Sequence, residues 1–403
     1  MLFRSPFVSE TGNLLQCNGE IFNYQELLAA HDITCSSNSD CEVILHLFEK
    51  IGISETVKSL NGDYAFCLNT KSHVYMVRDI SGVRPLFYGK TYLNNLCVAS
   101  TAKSLLNFSK DVYEVPPGIT CYDKQTCKFN SIERFLPIEK SLDAMSFENI
   151  LIKSVKDRLL SDRPIGCLLS GGLDSSLIAS ILCKLIGPEN VRTYSIGFEN
   201  SNDLINATNV SNYLKTQHTN IVITENDVIS NLNNIIFDLE SYDITTIRAS
   251  APMWLLAKYI SFHTNDIVLF SGEGADELFC GYLYFHYAPN NEELIAERKR
   301  LYESMYKYDC LRADRCVSSH GLELRVPFLD KEVIRHAFSL NADCLNPSKN
   351  NNIEKFYIRN EFKNNYLPDD ILWRRKDGFS DGVTSTLSKP WYSVYDNSIY
   401  DTR

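Results

Sequence analysis

The 403-residue sequence predicts an α/β protein of two domains, the first β-rich and the second built on a parallel sheet. Three observations predict this. The length exceeds what one hydrophobic core ordinarily serves. Up to about residue 134, short β-branched and aromatic segments are punctuated by Gly, Asn and Asp. Beyond residue 140, β-type runs alternate with helical periodicities, which is the pattern of a parallel sheet with right-handed crossovers.

In the first region the strands are GNLLQCNGEIF, GDYAFCLNT, HVYMVRDI and NNLCVAS. One helix interrupts them between Asp40 and Lys50, where Val43, Ile44, Leu47 and Phe48 keep three-four spacing. Three prolines between Pro116 and Pro137 and the polar IEKSLDAMSFEN after them place the boundary near residue 140, giving domains 1–140 and 141–403. Phe147, Leu151, Val155 and Leu159 then step by four along a helix announced by Ser146 and Glu148. There follow the strand IGCLLS, a helix through Leu177, Ile178, Ile181 and Leu182, and the strand TYSIGF. HTNIVI, a helix through the 250s and DIVLFSGEG complete the alternation. In such sheets ligands bind beyond the carboxyl ends of the strands. The loops after IGCLL, TYSI and IVLF are therefore the ones to inspect.

Composition narrows the function. Hydrophobic residues make up 44% and charged residues 22%, as in ordinary globular proteins. No apolar run reaches the roughly 18 residues of a membrane span, and MLFRSPFVSETGN lacks the apolar core of a secretory signal. A net charge of −10 argues against nucleic acid as a partner, and it obliges any polyanion site to be locally basic or metal-assisted. The 13 cysteines are scattered, odd in number and without a CxxC pair. They read as buried thiols of a cytoplasmic protein rather than a disulfide framework or zinc ribbon.

The strongest motif is LLSGGLDSS, Leu168 to Ser176, between a strand and a helix expected to open at Asp174 or Ser175. Gly171 and Gly172 let the backbone approach an anion, and the first-turn amides of the helix then point at it. Ser170 and Ser175 add hydroxyl donors. The Walker lysine is missing, which suits cleavage between the α- and β-phosphates better than γ-phosphoryl transfer. Asp174 inside an anion loop calls for a cation, and Mg²⁺ held by one or two carboxylates and phosphate oxygens answers that. The plainer alternative is a tight turn with Asp174 as a helix cap. A second loop, SGEGADE from Ser271 to Glu277, repeats serine, glycines and carboxylates at a strand end. Asp276 is there as a second Mg²⁺ carboxylate and Glu273 as a base or charge stabiliser. Two such loops on neighbouring strands make a coincidence of turns improbable.

Together with YDITTIRASAPM (Tyr242 to Met253), SGEGADELFCGYLYFHYAPN (Ser271 to Asn290), LELRVPFLD (Leu322 to Asp330) and RRKDGFSDG (Arg374 to Gly382), these loops resemble the glutamine-dependent asparagine synthetases. The likeness runs from NGEIFN near residue 18 to KDGFSDGV near residue 383. It implies an ATP-pyrophosphatase fold (adenine nucleotide alpha hydrolase-like) for the second domain and an N-terminal-nucleophile amidohydrolase sandwich for the first. It implies ATP on SGGLDSS with its adenosine near Leu168, Ile196, Ser271 and Gly272, and Mg²⁺ bridging Asp174, Asp276 and pyrophosphate. Aspartate is then adenylated and amidated by ammonia. Lys376 resembles the family lysine that stabilises the developing charge, oriented by Tyr282. Glu273 resembles the carboxylate needed for adenylation or for deprotonating ammonia, and Thr245 and Arg248 the pair needed for aspartate. Each has a structural alternative: Tyr282 as core, Arg248 as ion-pair partner of Glu323, Lys376 as a solvated loop lysine. The TTIRASxPM stretch, with Ala251 at its variable place, separates aspartate users from β-lactam-forming relatives.

In the first domain the resemblance makes Asn18 and Gly19 the oxyanion hole, with Glu20 and Asp40 gripping the amino group of glutamine. The family's cysteine nucleophile at the chain start has no counterpart, since residue 2 is leucine and the glutamine-binding RLSI-type segment is missing. Cys17 lies inside a strand without a free amine beside it, and so reads as a core thiol. The missing strands would leave unpaired edges and an exposed core. The sequence also stops soon after SDGV, earlier than is usual in the family. A fragment of a glutamine-dependent enzyme and a chain using free ammonia alone both fit.

Two departures are smaller. Cys280 stands where the family often has glycine, and ADRC at Ala313 to Cys316 carries Asp-Arg where some members have Asn-Lys. The expected partners are aspartate and either ammonia or glutamine, with no nucleic acid and no membrane. A homodimer stays open, because no feature specifies an interface. An adenylating synthetase acting on another acid is a competing reading, and so is a non-catalytic regulatory homologue that keeps the fold.

Overall fold

Why the N-terminal strands form a sheet is visible in their alternation. In the computed structural model, which describes residues 5–133, 145–376 and 383, Leu15 and Ile21 of the second strand point into a core, while Gln16 and Asn18 face solvent. The chain divides into two compact units, Met1–Ile138 with Glu303–Leu311, and Glu139–Tyr302 with Arg312–Arg403. The boundary expected near residue 140, residue 2 and the GFSDG stretch lie outside the described residues.

In the first unit, β1 (Phe7–Val8), β2 (Leu14–Ile21), β3 (Gly62–Asn69), β4 (His73–Arg78), β8 (Gly118–Asp123) and β9 (Lys128–Glu133) form a six-stranded sheet in that order, antiparallel throughout. A second sheet places β5 (Phe87–Thr91) between β6 (Leu96–Ala99) and β7 (Ser109–Glu114). Helices α1 (Tyr24–His31) and α2 (Glu42–Ser59) contribute apolar stripes to the main core, where Val43, Ile44 and Leu47 meet Leu15, Ile21, Phe66 and Leu68. Gly52, at φ 77°, kinks α2. The exposed core expected for this unit is therefore not found where the helices cover the sheet. At the other end of the sheet order, β1 pairs with β2 opposite Leu14 and Leu15.

Strands β5, β7, β8 and β9 were not read from the sequence. SKDVYE and KFNSIE are too charged and too irregular to show a period of two.

One buried carboxylate in this unit carries a testable consequence. Asp79 accepts from the amides of Ser81 at 3.0 Å and Val83 at 2.9 Å, which closes the turn after β4. Burial, then the neighbouring Asp63 charge, pushes its carboxyl from 3.8 up to about 6. A raised folded value makes the folded state hold a proton that the unfolded chain has lost. Its stability contribution is therefore complete below about pH 4 and disappears as pH rises through about 6. Asp79→Asn should remove this dependence. Thermal unfolding of both proteins between pH 4 and 7 should show the wild type losing on the order of 2 kcal/mol relative to the variant across that range.

The second unit opens with α3 (Phe147–Asp157), capped by Ser146, whose hydroxyl accepts from the Asn149 amide. There follow β10 (Ile165–Leu168), α4 (Leu173–Ile186), β11 (Arg192–Gly197), α5 (Asn202–Leu214), β12 (Gln217–Val222), α6 (Glu225–Leu239), α7 (Ile244–His263), β13 (Val268–Phe270), the short α8 (Ala275–Leu278) and β14 (Glu323–Arg325). The strand order is β12-β11-β10-β13-β14 and every pair is parallel. The chain winds outward from β10 to β12, then returns to the other side of β10 as β13. The order therefore reverses between β10 and β13, the switch point at which such sheets bind ligands. Cys167, Leu269 and Phe270 are wholly buried there, as parallel strands covered on both faces require.

All thirteen cysteines are free thiols. Among the described residues no helix is long and apolar enough to cross a membrane.

Candidate active site

The loops that follow β10 and β13 meet at the switch point. Helix α4 begins at Leu173, one residue earlier than expected, with Gly172 as its cap. Gly171 holds φ 72°, and a Cβ there would sit 2.4 Å from the Ala207 amide nitrogen, so the turn admits glycine alone. A Cβ on Gly272 would meet the Ser175 amide nitrogen at 2.7 Å, so the two glycine loops run backbone against backbone. The Ser170 and Ser175 hydroxyls lie 3.0 Å apart, and the Gly172 amide donates to Ser170 Oγ at 3.3 Å. Donors thus converge at the N-terminus of a 14-residue helix, where backbone amides and the helix dipole favour an anion. Leu168 closes β10 half-buried, while Ile196 on β11 and Ser271 are buried.

The acidic residues are brought together by a lysine that carries no motif. Lys355, buried, donates from Nζ to Asp174 Oδ2 at 2.5 Å and to Asp276 Oδ1 at 2.7 Å. Lys376 Nζ reaches the other oxygen of Asp276 and lies 5.6 Å from the centre of the Tyr282 ring. The Tyr282 hydroxyl donates to the buried Glu277. Neither Lys376 as a solvated loop residue nor Tyr282 as plain core describes this arrangement. Burial alone would raise the Asp276 carboxyl, but Lys355 and Lys376 hold it well below the usual carboxylate range. Burial likewise depresses an amine, yet Asp276 and Asp174 hold Lys376 above the ordinary lysine value, so it stays charged.

Glu354 organises the cationic side. Its Oε1 accepts from the Lys376 backbone amide at 2.8 Å and from Arg359 at 2.7 Å. A Cβ on Gly281 would lie 2.0 Å from Asp276 Oδ1, so glycine there makes room for the carboxylate. Cys280 before it sits at φ 54°, left-handed, which gives a physical reason for the glycine usual at that position.

Glu273 is gripped by Arg312 at 2.8 Å, and the same guanidinium touches Met253 Sδ at 3.7 Å. This links Glu273 to α7, the helix carrying Thr245 and Arg248. Asp243 caps that helix through the Thr246 amide at 2.7 Å, leaving Thr245 exposed and Arg248 half-buried in its first turns. Glu323 is paired with Arg325 at 2.8 Å. Within ADRC, Arg315 pairs with Glu240 at 3.4 Å, which accounts for an arginine at that position.

The glutamine-binding candidates lie in the first unit. Asn18 is exposed on β2, and Gly19 at φ 144° packs where a Cβ would sit 2.2 Å from the Asp63 carbonyl oxygen. Asp40 accepts from the Ile21 amide at 2.6 Å, which ties the loop before α2 to the end of β2, beside Glu20. Cys17 sits mid-strand, packed against the core cluster.

Sequence reading missed Lys355 and Arg312. Lys355 is 181 residues from Asp174 and 79 from Asp276 and belongs to no local pattern, so only the fold reveals it. Arg312 directly precedes the ADRC stretch, which had no physical account before the structure.

The family model described as asparagine synthase matches residues 146–302 and 296–402, and the glutamine amidotransferase domain matches 4–139. The asparagine synthetase [glutamine-hydrolyzing] of Gallus gallus is 40% identical over 95% of this chain and 74% of its own length. That of Mus musculus is 40% identical over 94% of this chain and 73% of its own.

Proposed function

The chain belongs to the asparagine synthase family and is a carbon–nitrogen ligase making asparagine with ATP; we propose that it adenylates aspartate and then amidates the adenylate with ammonia. We assign adenylation to residues 141–403 and an amidotransferase-type fold to residues 1–140, in a cytoplasmic setting. The observation that carries the reading is the meeting of two glycine loops with Asp174, Asp276, Lys355 and Lys376 at the switch point.

ATP lies with its phosphates over Ser170, Gly171, Gly172 and Ser175, and its adenosine against Leu168, Ile196, Ser271 and Gly272. The side-chain carboxylate of aspartate forms a bond to the α-phosphorus. The bond from that phosphorus to the bridging oxygen breaks, and pyrophosphate leaves with the electron pair. Lys355 and Lys376 are already fixed where that charge develops, so no reorganisation is needed at the moment of reaction. Ammonia then adds to the acyl carbon, the bond to AMP breaks, and Glu273 takes the proton. Arg312 keeps that carboxylate aimed. Thr245 and Arg248 hold aspartate, the guanidinium fork suiting its α-carboxylate.

The donor set fits Mg²⁺. Asp174 Oδ1 is buried without a hydrogen-bond partner among the described residues, which leaves a hard oxygen for the ion. Asp174 and Asp276 would hold it, and it would neutralise phosphate charge.

The test is production of asparagine and pyrophosphate from aspartate and Mg-ATP, with ammonium or glutamine as nitrogen donor. Both products with either donor support the reading. Pyrophosphate with a different acid and none with aspartate would redirect it to another synthetase. Nucleotide binding without turnover by folded protein would overturn it. In the same assay Cys17→Ser should leave the ammonium-dependent rate within about twofold of wild type, since a packed strand thiol lacks the free amine that activates such a nucleophile.

A further inference from the structure

Outside the adenylating site, the first unit gathers three donors of different chemistry. Cys35 comes from the loop before α2, while Glu42 and His46 stand one turn apart on its first turns. Cys35 Sγ, a Glu42 carboxylate oxygen and a His46 ring nitrogen all lie within 4.8 Å of one another. His46 Nε2 and Glu42 Oε1 are 3.4 Å apart. Tetrahedral zinc, with bonds of about 2.0–2.3 Å, needs donors separated by roughly 3.3–3.6 Å, so a small closure of the thiol completes the set.

We propose that Cys35, Glu42 and His46 form a zinc site that staples the loop before α2 to the helix. Thiolate, imidazole and carboxylate together select a borderline ion such as Zn²⁺ over Mg²⁺ or Ca²⁺. Glu42 is held as ligating carboxylates usually are, by an outer layer of hydrogen bonds. Its Oε1 accepts from the Ser36 amide and hydroxyl, both at 2.7 Å, and its Oε2 from the Ser37 amide at 2.8 Å and the Ser37 hydroxyl, so a metal takes the place of one of the two hydroxyls, which can rotate away while the amides keep the carboxylate in place. Cys35 and His46 are only partly buried, which leaves an entry path, and three protein donors leave a fourth position for water. Burial, then the Glu42 charge, pushes the thiol up to about 11; a bound cation offsets both, and the thiol proton is released on binding. Asp40 lies on the same stapled loop, so occupancy would stiffen its contact with the Ile21 amide.

The test uses the untagged full chain after treatment with a chelator. Cobalt(II), substituting for zinc, should give a thiolate-to-cobalt charge-transfer band in wild type and in Cys127→Ser, which removes an exposed thiol. Cys35→Ser should lose the band, and Cys35→Ser and His46→Gln should each weaken Zn²⁺ in competition with a chromophoric chelator by more than about 100-fold. Metal-free unfolding midpoints near wild type would show that both variants fold. No thiolate–cobalt band in wild type, which needs no variant, would overturn the site, as would a band that persists in Cys35→Ser. The site does not depend on the asparagine-forming reading, so either can fail alone.

Discussion

Lys376→Ala should reduce both pyrophosphate and asparagine formation by at least about 100–1000-fold, the usual cost of removing a preorganised charge stabiliser. The ammonium of Lys376 is fixed by Asp276, held over Tyr282, and anchored through its own backbone amide to Glu354. Loss of the side chain leaves that backbone anchor in place, and Asp276 keeps Lys355 as a partner at 2.7 Å. The fold should therefore survive, with only a modest drop in thermal unfolding midpoint. Lys376→Arg separates charge from position, because it restores the cation but exchanges a compact ammonium for a broad planar fork. Only partial recovery is expected. Glu273→Ala should also abolish asparagine. Pyrophosphate that still appears in that variant would put Glu273 at the amidation step; loss of pyrophosphate as well would put it at adenylation. Wild-type rates in Lys376→Ala would refute the role given to the lysine.

How far the sequence could be read depends on the range of the interaction involved. Strand β10 and helix α4 were legible because a short apolar run, two glycines and a helical periodicity are all local. Strand β14, only Glu323–Arg325, has two charged residues in three and gains its place by pairing with β13, a tertiary fact. The same holds for the cations. Lys376 was named through a motif at its own position, whereas Lys355 is defined by two carboxylates far away in the chain. Electrostatics had required a locally basic or metal-assisted site in an acidic protein. Asp174 in an anion loop calls for a cation, and its Oδ2 is met by Lys355 Nζ at 2.5 Å. A cation beside these carboxylates is expected from the residues, and the lysine that stands between them is not visible in their local pattern.

That balance makes Lys355→Met the sharpest probe of the site. The substitution keeps most of the apolar stem and removes the buried charge between Asp174 and Asp276. Both carboxylates are largely buried, and among the described residues Lys376 is the one cation then left in an ion pair with Asp276. Removing one partner from a buried ion cluster typically costs about 3–5 kcal/mol, mostly through the desolvated charge left behind. With some solvent reaching both carboxylates, the lower end of that range is expected for folding. Turnover should fall below detection, because the cluster that receives the phosphates then carries net negative charge. Asp174→Asn placed in the Lys355→Met background distinguishes stability from chemistry. It removes the uncompensated anion and should recover much of the unfolding midpoint, yet it should not recover pyrophosphate release. A double-mutant cycle on the midpoint should then give a coupling of about 1–3 kcal/mol between Lys355 and Asp174. If the two changes simply add, the lysine is not neutralising that carboxylate, and the assignment of Lys355 to the phosphate-binding machinery falls with it.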